Sequence, residues 1–153
     1  MNMDEMNRIE PAIDAAAQLE LVCRIVQGLC RMDELHPAQW SALRYLAKSD
    51  KLLRTTNQLA AHQGTNPGTA SRTISALMRK GLVTSTVSRS DRRIRTISLT
   101  PAGRTLLQQD PLHRVATGLQ RLPRETRAQL PGILEELHQA LAAQVRRAEP
   151  GAD

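Results

Sequence analysis

Between Gly64 and Gly103 the chain reads GTNPGTASRTISALMRKGLVTSTVSRSDRRIRTISLTPAG, and this stretch decides the fold. Gly64-Thr65-Asn66-Pro67 spells a tight turn into a helix: glycine ends the element before it, asparagine caps the next one, and proline fits a first helical position. The helix so opened runs to about Lys80, with Ala70, Ile74, Leu77 and Met78 on one face and Gly68, Arg72, Ser75 and Arg79 on the other. Upstream, Thr55 or Thr56 caps a short helix from Thr56 to Gln63 whose Leu59 and Ala60 face inward. Two short helices joined by a tight turn form a helix-turn-helix. Downstream, Gly81 stops the second helix and Leu82-Val83 begins a strand. The β-branched, alternating runs from Thr84 to Ser88 and from Ile94 to Thr100 flank Arg89-Ser90-Asp91-Arg92-Arg93, which predicts a β-hairpin with a basic tip.

The chemistry of these two elements points one way. A helix face of small, polar and basic side chains can approach base edges closely while arginine donates to guanine or phosphate. A hairpin tip carrying arginine suits the minor groove, where narrow A·T stretches concentrate negative potential. The charge is placed accordingly: residues 48–104 hold eleven Lys and Arg against two Asp, a balance of +9 in a chain whose net charge is +6. A basic centre between mildly acidic flanks fits one segment meeting a polyanion while the ends do something else.

Working outward, Pro11 to Arg31 reads as a helix whose polar positions Glu20, Arg24, Gln27, Gly28 and Arg31 form a narrow arc. Leu21, Val22, Ile25, Val26 and Leu29 cover most of the remainder, so this helix needs cover on several sides, and a second copy of the chain is a natural source. His36-Pro37 opens a helix to about Lys48 with Trp40, Leu43, Leu46 and Ala47 on its apolar face. Thr100-Pro101 opens another that is expected to reach Leu122 with a kink at Pro111. The last helix, Arg124 to Arg147, is expected to break or bend at Pro131-Gly132, and the tail from Ala148 to fray.

Composition removes other classes. The chain of 153 residues is 41% hydrophobic and 24% charged, enough for one compact domain or two lobes sharing a core. Trp40 and Tyr45 are its only aromatics, which leaves nothing with which to stack unpaired bases as single-strand and RNA sheet readers do. Cys23 and Cys30 make neither a disulfide framework nor a zinc pattern. His36, His62, His113 and His138 are scattered, and no phosphate-binding loop, nucleophile elbow or paired carboxylate appears, so no enzyme, metal site or cofactor is expected. The longest apolar run is too short for a membrane span and the N-terminus is acidic, which reads as a cytoplasmic protein.

The run from Asp91 to Gly103, DRRIRTISLTPAG, resembles the wing signature of the MarR family of bacterial transcriptional regulators, an acid and arginine followed by LTxxG. Leu77 to Val83, LMRKGLV, is similar to that family's exit from its recognition helix. The resemblance implies a homodimer whose terminal helices interlock, each subunit placing a recognition helix in the major groove and a wing in the minor groove. It implies base and phosphate contacts from Asn66, Pro67, Thr69, Ser71 and Arg72, with Arg93 entering the minor groove and Asp91 orienting it. The face of the helix adds Ser75 and Arg79, and the hairpin adds Arg89, Arg92 and Arg95. Some relatives sense oxidants through a first-helix cysteine. Cys23 and Cys30, about 10 Å apart along a continuous helix, therefore carry two readings, core packing and thiol sensing.

The expected fold is mainly α with a small β-hairpin wing, a winged helix-turn-helix dimerising through its N- and C-terminal helices. The divisions are 1–35 as a dimerisation helix, 36–103 as the DNA-binding lobe and 104–153 as C-terminal dimerisation helices. The expected function is sequence-specific binding of double-stranded DNA, as a repressor released by a small-molecule or oxidant signal. The alternative is an architectural protein that binds DNA with low specificity.

Overall fold

The computed structural model describes residues 3–30, 35–87 and 94–148. Its elements are α1 (Met3–Cys30), α2 (Pro37–Lys48), a 3₁₀ turn (Lys51–Leu53), α3 (Thr56–Gln63), α4 (Pro67–Arg79), β1 (Val83–Val87), β2 (Arg95–Leu99), α5 (Pro101–Leu107), α6 (Leu112–Leu119) and α7 (Arg124–Ala148). This is a winged helix-turn-helix, mainly helical, with one antiparallel hairpin in which Val83 pairs with Leu99 and Val87 with Arg95.

The core lies in the middle of the chain. Trp40, Leu43 and Leu46 of α2 are fully enclosed against Leu59 of α3, Ala70 and Leu77 of α4, and Ile97 of the hairpin. Polar groups fix the seams of this lobe. Gln63 Nε2 donates to Ala38 O (2.8 Å), tying the end of α3 to the start of α2. Tyr45 OH donates to Leu53 O (2.7 Å) and Arg54 Nε to Ser49 O (2.9 Å), which hold the 3₁₀ turn in place. The Ile97 N–H donates to Arg54 O (2.8 Å), so the segment after that turn lies along the outer edge of β2. At the hairpin base, Thr100 Oγ1 donates to Gly81 O (2.7 Å) and accepts from Gly103 N–H (3.0 Å), joining the end of α4 to the start of α5 through one hydroxyl.

Several expectations are corrected. The helix opened by Pro101 does not run to Leu122 with a kink: it stops at Leu107, and α6 starts afresh at Leu112. A buried corner at Asp110-Pro111 separates the two, because the Asp110 carboxylate is engaged by α2 and by the first turn of α6. Pro131-Gly132 neither breaks nor ends α7, which is continuous over 25 residues. Likewise α1 begins at Met3 and carries Pro11 inside it. Both prolines lie on exposed stretches, where water can serve the carbonyl that loses its helical partner. Met78 and Ala47 are exposed: each follows the buried residue that ends its helix's inner face, and one step of about 100° turns it outward. Outside the lobe burial falls away. Ile25 is 65% exposed, Val22 55% and Ile133 54%, so α1 and α7 show apolar faces to solvent.

Candidate nucleic-acid interface

The turn between α3 and α4 forms as its residues dictate. Gly64 adopts φ +59°, a left-handed conformation that costs glycine nothing, and Thr65 N–H reaches back to Ala60 O (3.0 Å). Thr55 Oγ1 accepts from Gln58 N–H (3.3 Å) to cap α3. Asn66 Oδ1 accepts from Thr69 N–H (2.9 Å) to cap α4, with Pro67 at the first helical position. Replacing Asn66 with alanine is expected to lower stability by about 1 kcal/mol, read from the shift of the urea midpoint. An unchanged midpoint would mean that packing alone holds the start of α4.

With Ala70, Ile74 and Leu77 sunk in the core, the opposite face of α4 is presented to solvent. Asn66, Pro67, Ser71, Arg72, Ser75 and Arg79 are all exposed, and Thr69 is half-buried. Thr73 Oγ1 donates to Thr69 O (3.2 Å) and stays on the helix. Arg72 and Arg79 have no ion-pair or hydrogen-bond partner among the described residues, so their guanidinium donors face water. From Lys51 to Ser90 the sequence contains no acidic residue, so no carboxylate of this segment offsets the charge of that face. Such a surface has hydrogen-bond donors, small side chains and a positive field, and it lacks the bulk or the negative charge that would hold a phosphate backbone off.

Arg95 is exposed at the far end of the hairpin, paired with Val87. Arg89, Asp91, Arg92 and Arg93 lie outside the described residues. Cys23 is exposed on α1, and the side chain of Cys30 lies outside the description. Among the described residues no three of His, Cys, Asp and Glu are grouped so that they could hold a metal ion, and no helix is long and apolar enough to cross a membrane. Sequence reasoning did not anticipate the pairing of Arg44 with Asp110 (2.8 Å). Its one local signal was an aspartate directly before Pro111 at a helix start, a capping pattern that leaves a distant partner unspecified.

The lobe has known counterparts. The family model described as MarR family matches residues 34–94, while no curated protein matches the sequence. The fold is shared with MepR of S. aureus, solved in a complex with DNA, at TM-score 0.71 and 20% identity over 82% of this chain and 96% of that one. It is shared with a probable transcriptional regulator from Pseudomonas aeruginosa at TM-score 0.68 and 24% identity, covering 80% and 95% of the two chains. A MarR family protein from Bacillus stearothermophilus aligns at TM-score 0.63 and 19% identity, over 92% of this chain and 98% of that one. The matched segment holds α2 to α4 and β1 and stops just before β2; over it the chain is similar to the MarR family, and the solved neighbours share its winged helix-turn-helix fold.

Proposed function

We propose that this chain acts as a homodimer that binds a pseudo-palindromic site in double-stranded DNA and represses a promoter by occupying it. One observation carries the reading: the solvent face of α4 presents Ser71, Arg72, Ser75 and Arg79 from a segment without acid. Asn66, Pro67 and Thr69 start that helix, where contacts to phosphates and bases would concentrate. Arg89, Arg92, Arg93 and Arg95 supply the wing, with Arg93 for the minor groove and Asp91 to orient it. The relative from S. aureus solved with DNA supports the same placement.

The dimer reading rests on α1 and α7, which leave Ile13, Val22, Ile25, Ile133 and Leu141 exposed on a single chain. A second copy would cover them. A signal that releases the protein would act on the lobe or on its supports. The open cleft of about 680 Å³ between the turn Gly64-Thr65-Asn66 and α7, lined also by His62, His138 and Leu141, has the size of a small-molecule site. Exposed Cys23 is the place for an oxidant to act.

The test is selection of bound duplexes from a random pool by the purified protein, with and without reductant, followed by affinities at two salt concentrations. A symmetric motif with half-sites about one helical turn apart and a steep salt slope is expected. Strong salt-dependent binding with no enriched motif would instead indicate a low-specificity architectural protein. Arg72→Ala is expected to weaken binding by about 1 to 3 kcal/mol and to relax preference inside the half-site, and Arg93→Ala to act at A·T flanks. Equal loss on every sequence would make both of them phosphate contacts.

A further inference from the structure

Asp110 stands where the chain passes from the helix-turn-helix lobe to the terminal helices. α5 belongs to the lobe, since it packs on α2 and β2. α6 belongs to the terminal helices, since it packs on α1. At the corner between them Pro111 is fully buried and Asp110 is only 8% exposed. One oxygen of its carboxylate, Oδ1, accepts two hydrogen bonds: from Arg44 Nη1 on α2 (2.8 Å) and from the Leu112 N–H in the first turn of α6 (2.9 Å). The pair joins residues 66 apart in sequence, with the Arg44 side chain 24% exposed and that of Asp110 9%. The Arg24–Glu20 pair, by contrast, is exposed and lies within a single helix.

Burying a carboxylate is unfavourable unless it is paired and hydrogen-bonded, and a well-packed apolar pair would serve stability as well or better. What an ion pair adds is direction, because a guanidinium and a carboxylate meet in few geometries. We infer that Arg44 and Asp110 are positioning residues whose ion pair fixes the angle between α6 and α2. α2 in turn packs directly on α4, so the pair acts on the attitude of α4 relative to the terminal helices, alongside the direct packing of α1 on α2. On the dimeric DNA-binding reading proposed above, on which this consequence rests, the pair sets the separation of the two α4 helices and hence the half-site spacing that the protein accepts.

The first measurement needs no DNA. Asn57→Cys on α3 and Ala116→Cys on α6 are introduced with Cys23→Ala and Cys30→Ala. The doubly spin-labelled chain is then diluted into unlabelled protein. A narrow distance distribution is expected for this parent, and a distribution at least about twice as wide for Asp110→Asn and for Arg44→Gln. Asp110→Asn keeps an oxygen to cap Leu112 N–H, so α6 keeps its first turn, and Arg44→Gln decides should the first variant fail to fold. Unchanged width and centre in the folded variants overturn the inference.

The second measurement varies half-site spacing one base pair at a time. The parent is expected to favour one spacing by about tenfold, and the variants to accept its neighbours within about twofold. Equal loss of affinity at every spacing would show a merely structural role and also overturn the inference. A parent without any spacing preference would sink the dimeric DNA reading, while the label distances still decide the role of the pair.

Discussion

Gly103→Ala is expected to destabilise the lobe by about 3 kcal/mol, the upper end for forcing extra volume into a packed site. A methyl group at Gly103 would overlap the carbonyl oxygen of Leu82, with the Leu82 carbon at 3.2 Å and Leu99 Cδ2 at 3.4 Å. The obstacle is backbone, so no rotamer change relieves it. The Leu82 oxygen cannot withdraw freely either, since it accepts from Thr100 N–H (3.1 Å), and the Gly103 N–H itself caps onto Thr100 Oγ1. Relief requires that α5 lift from the base of the hairpin. A denaturant midpoint lowered with little change in slope is the expected signature, and a midpoint within about 0.5 kcal/mol of the parent would show that α5 shifts at little cost.

Trp40→Ala is expected to cost about 3 to 5 kcal/mol, the range for removing a large buried aromatic. Trp40 is fully enclosed at the centre of the core, and its loss would leave a cavity between α2 and the hairpin. A domain of this size has about 5 to 15 kcal/mol in all, so the loss is a large share of it, seen as a fall of about 6 to 20 °C in the circular dichroism midpoint. Trp40→Phe separates two contributions. The indole Nε1 is buried without an acceptor among the described residues, so exchanging that ring for one without a donor gives up packing volume but no hydrogen bond within the protein. Its cost should be well below that of alanine; equal costs would show that the indole N–H is engaged after all.

What could be read from the sequence divides by the range of the forces involved. The ends of α3 and α4 are written locally. Thr55, Gly64, Asn66 and Pro67 each satisfy or remove a terminal backbone group by themselves, and each acts in the structure as its type suggests. The inner faces of α2 to α4 follow from helical spacing, apart from Ala47 and Met78 at their margins. The division of α5 from α6 was not legible, because it depends on a carboxylate meeting an arginine 66 positions away. The prolines at 11 and 131 misled for a related reason. Their local penalty is real, and the long solvated helices that hold them override it. At the candidate site the outer face of α4 was read residue by residue, whereas the hairpin tip rests on Arg89 to Arg93 as sequence alone.

The hydrogen bond from Ile97 N–H to Arg54 O has a consequence for how this fold can vary. It fastens β2 at its middle to a segment outside the hairpin, and the bond from Thr100 N–H to Leu82 O fastens the base. Register is thus fixed from the lobe side by these two bonds. Residues added in pairs beyond Val87 and Arg95 would preserve the alternation of faces in both strands. The reach of the wing can therefore lengthen or shorten over evolutionary time, or under an engineer's hand, while the core that carries α4 keeps its shape.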